Sequence, residues 1–213
     1  MDPIRRSITL LGTLPVIRLD HPERDALPLA DALLEGGLPL IEITFRAEGA
    51  EKAIAQIRKH RPEMLVGAGT VLTPGQVKAA YDAGAHFMVS PGLNRRVVET
   101  CLTLGTAVFP GCMTPTEIET AIELGLEAVK FFPAEQAGGI AMIKALSAPY
   151  RTIGFVPTGG VTLENLADYL RCPSVIACGG SYMATPKMIE EHNWRAITEM
   201  CRRTVDIVKQ VKG

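Results

Sequence analysis

Short apolar runs recur along the chain, and a longer stretch with helical spacing follows almost every one of them. The runs are Leu14 to Leu19, Leu40 to Thr44, Leu65 to Gly69, His86 to Ser90, Ala107 to Pro110, Ala128 to Phe132, Gly154 to Pro157 and Val175 to Cys178. The stretches between them predict helices over 23–35, 50–59, 74–83, 95–104, 115–124, 139–146 and 163–170. Glycines follow several of these where helices commonly stop, at Gly36, Gly84, Gly105 and Gly125. One long helix is expected within His192 to Lys212, and the N-terminal M-D-P-I-R-R-S-I-T-L-L reads as a short amphipathic helix covering one end. Strands alternating with helices imply a parallel sheet. Eight such units in 213 residues favour a closed (β/α)8 TIM barrel, with residues 1–213 as a single α/β domain. A doubly wound open sheet is the alternative, but no G-x-G-x-x-G follows the first run, which weakens its dinucleotide-binding form.

Composition narrows the partners. The net charge of −1 offers no basic excess for a nucleic-acid backbone, so nucleic acid is not expected. No run approaches the ~18 apolar residues of a membrane span, and the N-terminus lacks a long apolar region with a cleavage site. The five cysteines are odd in number and form no C-x-x-C, which fits reduced thiols in a cytoplasmic protein. Cys112 and Cys178 read as small buried hydrophobes. His21, His60, His86 and His192 show no H-x-H or H-E-x-x-H spacing, so no metal site is expected.

In a barrel of this kind the chemistry lies at the C-terminal ends of the strands. The sixth run, A-V-K-F-F-P-A-E, puts Val129 and Phe131 on one face and Lys130 on the other. Lys130 then points into the barrel. A free lysine, with a pKa of ~10.4, is neutral about once in a few thousand at pH 7. A desolvated one is more available to attack a carbonyl and form an imine. The competing reading is an ammonium that reaches solvent or pairs with a carboxylate. Glu42, in L-I-E-I-T, points inward by the same alternation. A buried Glu42–Lys130 pair kept only for structure is a poor source of stability. A carboxyl beside an amine is what the proton transfers of imine chemistry need.

Two glycine-rich segments follow the seventh and eighth runs: Thr158-Gly159-Gly160 and Gly179-Gly180-Ser181. Exposed backbone N–H groups at those two strands suit a phosphate, so a phosphorylated small molecule is expected. Arg46 can hold a carboxylate with its planar fork, or pair with Glu48 at the surface. Thr70 shares an alternating face with Val66 and Ala68 and can offer a hydroxyl to the same ligand, or serve as a turn residue before Pro74. Arg18 and Pro91 also stand at strand ends.

The runs I-E-I-T-F-R-A-E, V-G-A-G-T-V-L, V-S-P-G-L, V-K-F-F-P-A-E, F-V-P-T-G-G-V and C-G-G-S resemble the 2-keto-3-deoxy-6-phosphogluconate (KDPG) aldolase family, whose members also act as 4-hydroxy-2-oxoglutarate (KHG) aldolases. The resemblance spans nearly the whole chain, in order. It implies a metal-independent class I aldolase that cleaves KDPG to pyruvate and glyceraldehyde 3-phosphate, and KHG to pyruvate and glyoxylate. Lys130 would be the Schiff-base lysine and Glu42 the general acid/base. Arg46 and Thr70 would hold the carboxylate end, Pro91 and Phe132 would shape the pocket, and Gly159, Gly160, Gly179, Gly180 and Ser181 would hold the phosphate. Thr158 looks like the phosphogluconate-type enzyme, since the relative acting on the galactonate epimer (KDPGal) often has an apolar residue there. Arg18 departs from some phosphogluconate-type members. The resemblance also implies a homotrimer without a cofactor. The alternatives are a KDPGal aldolase, a phosphate-binding barrel isomerase or epimerase in which Lys130 acts only by its charge, and a non-catalytic sugar-phosphate sensor.

Overall fold

A computed structural model describes residues 2–213. Helix α1 (Pro3–Leu11) opens the chain, with the Asp2 carboxylate accepting from the N–H groups of Ile4 and Arg5 at its N-terminus. Then follow β1 (Thr13–Ile17), α2 (Pro22–Glu35), β2 (Leu40–Thr44), α3 (Ala50–His60), β3 (Leu65–Gly69), α4 (Pro74–Asp82), β4 (Phe87–Val89) and α5 (Arg95–Thr103). The second half runs β5 (Ala107–Phe109), α6 (Pro115–Glu123), β6 (Ala128–Phe131), α7 (Gly139–Ser147), β7 (Gly154–Pro157), α8 (Leu166–Leu170) and β8 (Cys178–Gly180). Two helices, α9 (Pro186–Glu190) and α10 (Trp194–Lys212), complete it. Threonine caps start several of the helices: Thr114 and Glu117 form a reciprocal capping box on α6.

All strand pairs are parallel. A ladder runs β5-β4-β3-β2-β1-β8 and a second pairs β6 with β7. Parallel bridges close the ring: Gly111 with Lys130 on one side, Phe155 with Val175 and Thr158 with Gly179 on the other. At the first closure the Lys130 N–H donates to Pro110 O and the Cys112 N–H to Lys130 O, both at 2.9 Å. The expected (β/α)8 barrel is therefore what forms.

Alternation along each strand sorts two cores. Ile41, Ile43, Val66, Ala68 and Met88 pack outward with residues of the surrounding helices. Val129, Phe131 and Phe155 do the same on the other side. Leu14, Val16, Leu40, Phe87, Val89, Phe109, Ala128 and Val156 fill the barrel interior. Ile8 of α1 joins that inner group and closes the N-terminal mouth, in line with the amphipathic pattern of the N-terminus. Among the described residues no helix is long and apolar enough to cross a membrane. All five cysteines are buried free thiols. Burial pushes the Cys112 thiol up to about 12, which keeps it inert.

Three elements differ from what the sequence pattern predicts. The eighth strand lies at Cys178–Gly180, pairing with β1 through Thr13, Leu14 and Pro15, rather than at Val175 to Cys178. The apolar residues 175–177 bring the chain into the barrel, and glycines too poor in side chain to signal a strand form the ladder. Helix α8 starts three residues later than predicted, because Asn165 Oδ1 accepts from the Thr162 N–H at 2.8 Å and holds a turn there. Helix α9 is an addition to the expected elements; its signal is Thr185-Pro186, a cap followed by proline at the first helical position.

Candidate active site

The C-terminal mouth gathers most of the polar residues singled out above. Glu42 of β2 and Lys130 of β6 come from opposite sides of the barrel and meet in its interior. Glu42 is 1% exposed and Lys130 6%. The Lys130 Nζ lies 3.8 Å from Glu42 Oε1, an electrostatic contact too long for a hydrogen bond. Among the described residues neither Glu42 oxygen has a hydrogen-bond partner. Burial pushes the Glu42 carboxyl above the usual glutamate range, and Lys130 and then Arg46 draw it partly back. The Phe132 ring flanks the amine, its centroid 5.3 Å from Nζ. A pair that served only stability would satisfy its lone pairs, because an unbonded buried acceptor costs about 1–3 kcal/mol.

The room for Glu42 comes from the neighbouring strand. The inner face of β3 carries only glycine at its two last inward positions. A Cβ on Gly69 would stand 2.0 Å from Glu42 Oε1, and one on Gly67 would stand 2.2 Å from the Phe87 ring. Neither residue stands out among the candidates that the sequence offers. A G-x-G at period two inside a strand is the available signal, since glycine there marks close approach of something else.

Thr70 follows β3 with φ +56°, a left-handed conformation rare for a β-branched residue. Strain of this kind costs about 1–3 kcal/mol and concentrates at functional sites. The alternation argument for Thr70 fails, because Val66 and Ala68 pack outward against helices. The reversed φ breaks the alternation at Thr70, which ends up partly exposed at the strand end. Arg46 is exposed just beyond β2. Its Nε donates to Thr44 Oγ1 at 3.3 Å, and among the described residues it makes no ion pair with Glu48. Arg18 lies exposed past β1, with its guanidinium held by Asp20 at 2.7 Å. Pro91 is partly buried beyond β4, and a Cβ on Gly111 would stand 1.9 Å from its carbonyl oxygen.

The two glycine segments are brought together. Thr158, just past β7, bridges to Gly179 of β8, and a Cβ on Gly179 would stand 2.3 Å from Thr158 Oγ1. Gly159 and Gly160 take φ of +95° and +82°, which only glycine adopts readily. Among the described residues no protein acceptor receives the N–H groups of Gly159, Gly160 or Ser181. The Phe132 ring lies 3.3 Å from where a Gly159 Cβ would stand, so the lysine strand and this loop share one wall. Glu135, absent from the candidates drawn from the sequence, braces the loop from below. Its N–H donates to Gly159 O at 3.1 Å, and its carboxylate accepts from the Tyr169 hydroxyl. Among the described residues no three His, Cys, Asp or Glu side chains group as metal ligands.

Known proteins resemble this chain along most of its length. The family model described as KDPG and KHG aldolase matches residues 4–200. The 2-dehydro-3-deoxy-phosphogluconate aldolase of Haemophilus influenzae is 49% identical over 199 residues, covering 93% of each chain. That of Treponema pallidum is 47% identical over 208 residues, covering 98% of this chain and 99% of its own. The crystal structure of KDPG aldolase from Legionella pneumophila, with pyruvate captured as a covalent carbinolamine intermediate, superposes with a TM-score of 0.91. It is 38% identical and covers 95% of this chain and 98% of its own. With a matching family model along most of its length and two relatives near half identical, this chain belongs to the KDPG and KHG aldolase family.

Proposed function

We propose that this chain is a class I aldolase that cleaves KDPG to pyruvate and glyceraldehyde 3-phosphate. The observation that carries the reading is the amine and carboxyl placed 3.8 Å apart inside the barrel, with neither carboxylate oxygen hydrogen-bonded among the described residues. The neutral Lys130 amine attacks the C2 ketone and forms a carbinolamine. Loss of water, with protons moved by Glu42, gives an iminium. The Glu42 carboxylate then takes the C4 hydroxyl proton, the C3–C4 bond breaks, and the electron pair flows into the iminium. Glyceraldehyde 3-phosphate leaves. The enamine takes a proton at C3 and is hydrolysed to pyruvate, which restores the amine.

The other residues have roles to match. Arg46 and Thr70 hold the carboxylate, and the strained backbone at Thr70 supports a functional reason for its placement. Pro91 and Phe132 bound the pocket. Thr158, Gly159, Gly160, Gly179, Gly180 and Ser181 receive the phosphate. The free N–H groups of Gly159, Gly160 and Ser181 support that assignment. Arg18, tied to Asp20, stands at the rim. KHG is a second substrate on this reading, because its keto acid end needs only Lys130, Glu42 and the carboxylate site. Residues 1–213 act as one cytoplasmic barrel unit. Assembly as a homotrimer is part of the same reading.

The test is borohydride reduction in the presence of pyruvate, followed by peptide mass mapping. A reduced adduct on Lys130 is expected. Folded protein that gives no adduct at saturating pyruvate overturns the imine route and favours the isomerase or sensor reading.

A further inference from the structure

Strand β2 places three polar residues along one line toward the mouth. Glu42 and Thr44 share the inward face, and Arg46 follows beyond the strand end. Thr44 is 1% exposed, so its hydroxyl must find partners within the protein. A hydroxyl has one proton to give. The Thr44 proton goes to Ile17 O at 3.0 Å, on the adjacent strand. That bond turns a lone pair toward Arg46 Nε, which donates to it at 3.3 Å. Among the described residues no other protein group hydrogen-bonds the exposed Arg46 guanidinium. A long side chain with many rotamers is thus anchored at one point, through a hydroxyl that β1 itself orients.

We infer that Thr44 is a positioning residue that aims the Arg46 guanidinium at the substrate carboxylate. The inference rests on the proposed role of Arg46. A purely structural threonine would be satisfied by the Ile17 carbonyl alone, and its loss would be felt in stability and not in substrate binding.

The test is a double-mutant cycle in the cleavage assay, with Thr44→Val, Thr44→Ser, Arg46→Ala and the Thr44→Val/Arg46→Ala pair. Valine keeps the shape and strand propensity of threonine and removes the hydroxyl. Thr44→Val should raise KM by about tenfold, with kcat changed by less than about twofold. Thr44→Ser should restore the parent KM. In the Arg46→Ala background, Thr44→Val should add nothing. An unchanged KM in Thr44→Val, or a full-sized effect that persists without Arg46, overturns the positioning role and leaves Arg46 in place. An unchanged KM in Arg46→Ala alone overturns the carboxylate assignment, and the positioning role with it. Thr44→Ala, predicted to match valine, serves if the valine variant does not fold.

Discussion

Two lysines, one near each end of the barrel, are used in opposite ways. At the N-terminal mouth Lys212, from the last turn of α10, donates to Thr9 O at 2.7 Å and Ile176 O at 2.6 Å. Those bonds fasten α10 to the end of α1 and to the segment entering β8. Nearby, His86 Nδ1 accepts from the Val66 N–H. At the C-terminal mouth Lys130 and Glu42 stand 3.8 Å apart, and among the described residues the carboxylate accepts no hydrogen bond. Polar groups that satisfy one another hold a structure together. Polar groups held close and left unsatisfied are ready to exchange protons with a third party. Helix α1 packs its Ile8 into the barrel at the first of these two ends.

The sharpest way to break this comparison is to remove each lysine. Lys130→Ala should lower cleavage by at least about a thousandfold and abolish borohydride trapping, with the thermal transition preserved. Normal turnover in that variant would end the distinction between the two ends. Glu42→Gln should lower kcat by about 10²–10⁴-fold, in cleavage and in proton exchange of pyruvate alike.

Glu42 also gives a pH signature. Its folded-state pKa is raised above the ordinary 4.5 by burial. The folded protein therefore holds that proton more tightly than the unfolded chain does. The resulting stabilisation is full below the ordinary value and is lost as pH rises through the raised one. Catalysis by the carboxylate runs the other way and fails on acidification, beginning above pH 4.5. Denaturant melts and rate profiles across this window should show opposite trends, and Glu42→Gln should flatten the first.

Gly69→Ala should cost about 10²-fold in kcat, because its Cβ would displace the Glu42 carboxylate. Parent-like rates would mean that the carboxylate position is not critical. The smallest effect belongs to the plugged end. Lys212→Met should leave KM and kcat unchanged and lower stability by about 1–2 kcal/mol, read as a shift in the denaturation midpoint. A loss of activity with no loss of stability would reverse the roles assigned to the two ends.

Much of this is legible in the sequence for a definite reason. Period-two alternation assigns faces, so the residue pattern alone turns Lys130 and Glu42 inward, and the barrel follows from the repeated strand and helix. Legibility ends where glycine replaces side chains. The pattern misplaces the register of β8 because Gly179 and Gly180 carry no alternation, and the bare face of β3 gives no hint of which neighbour fills it. Alternation misassigns Thr70 because it presumes a regular backbone, and φ reverses there. The brace from Tyr169 to Glu135 joins residues 34 positions apart, beyond the reach of any local rule. Thr44 reads only as a polar residue at a strand end, because its role depends on a carbonyl of another strand.

The close fit of Gly69 against Glu42 has a consequence for how such a sequence can change. The two positions lie on adjacent strands and share one volume. A mutational survey that alters one position at a time will score both as fixed, since a larger residue at 69 collides and a smaller one at 42 removes the acid. Varying them together opens a different route. A smaller residue at 42 beside a larger one at 69 shows how the two strands divide that volume between them.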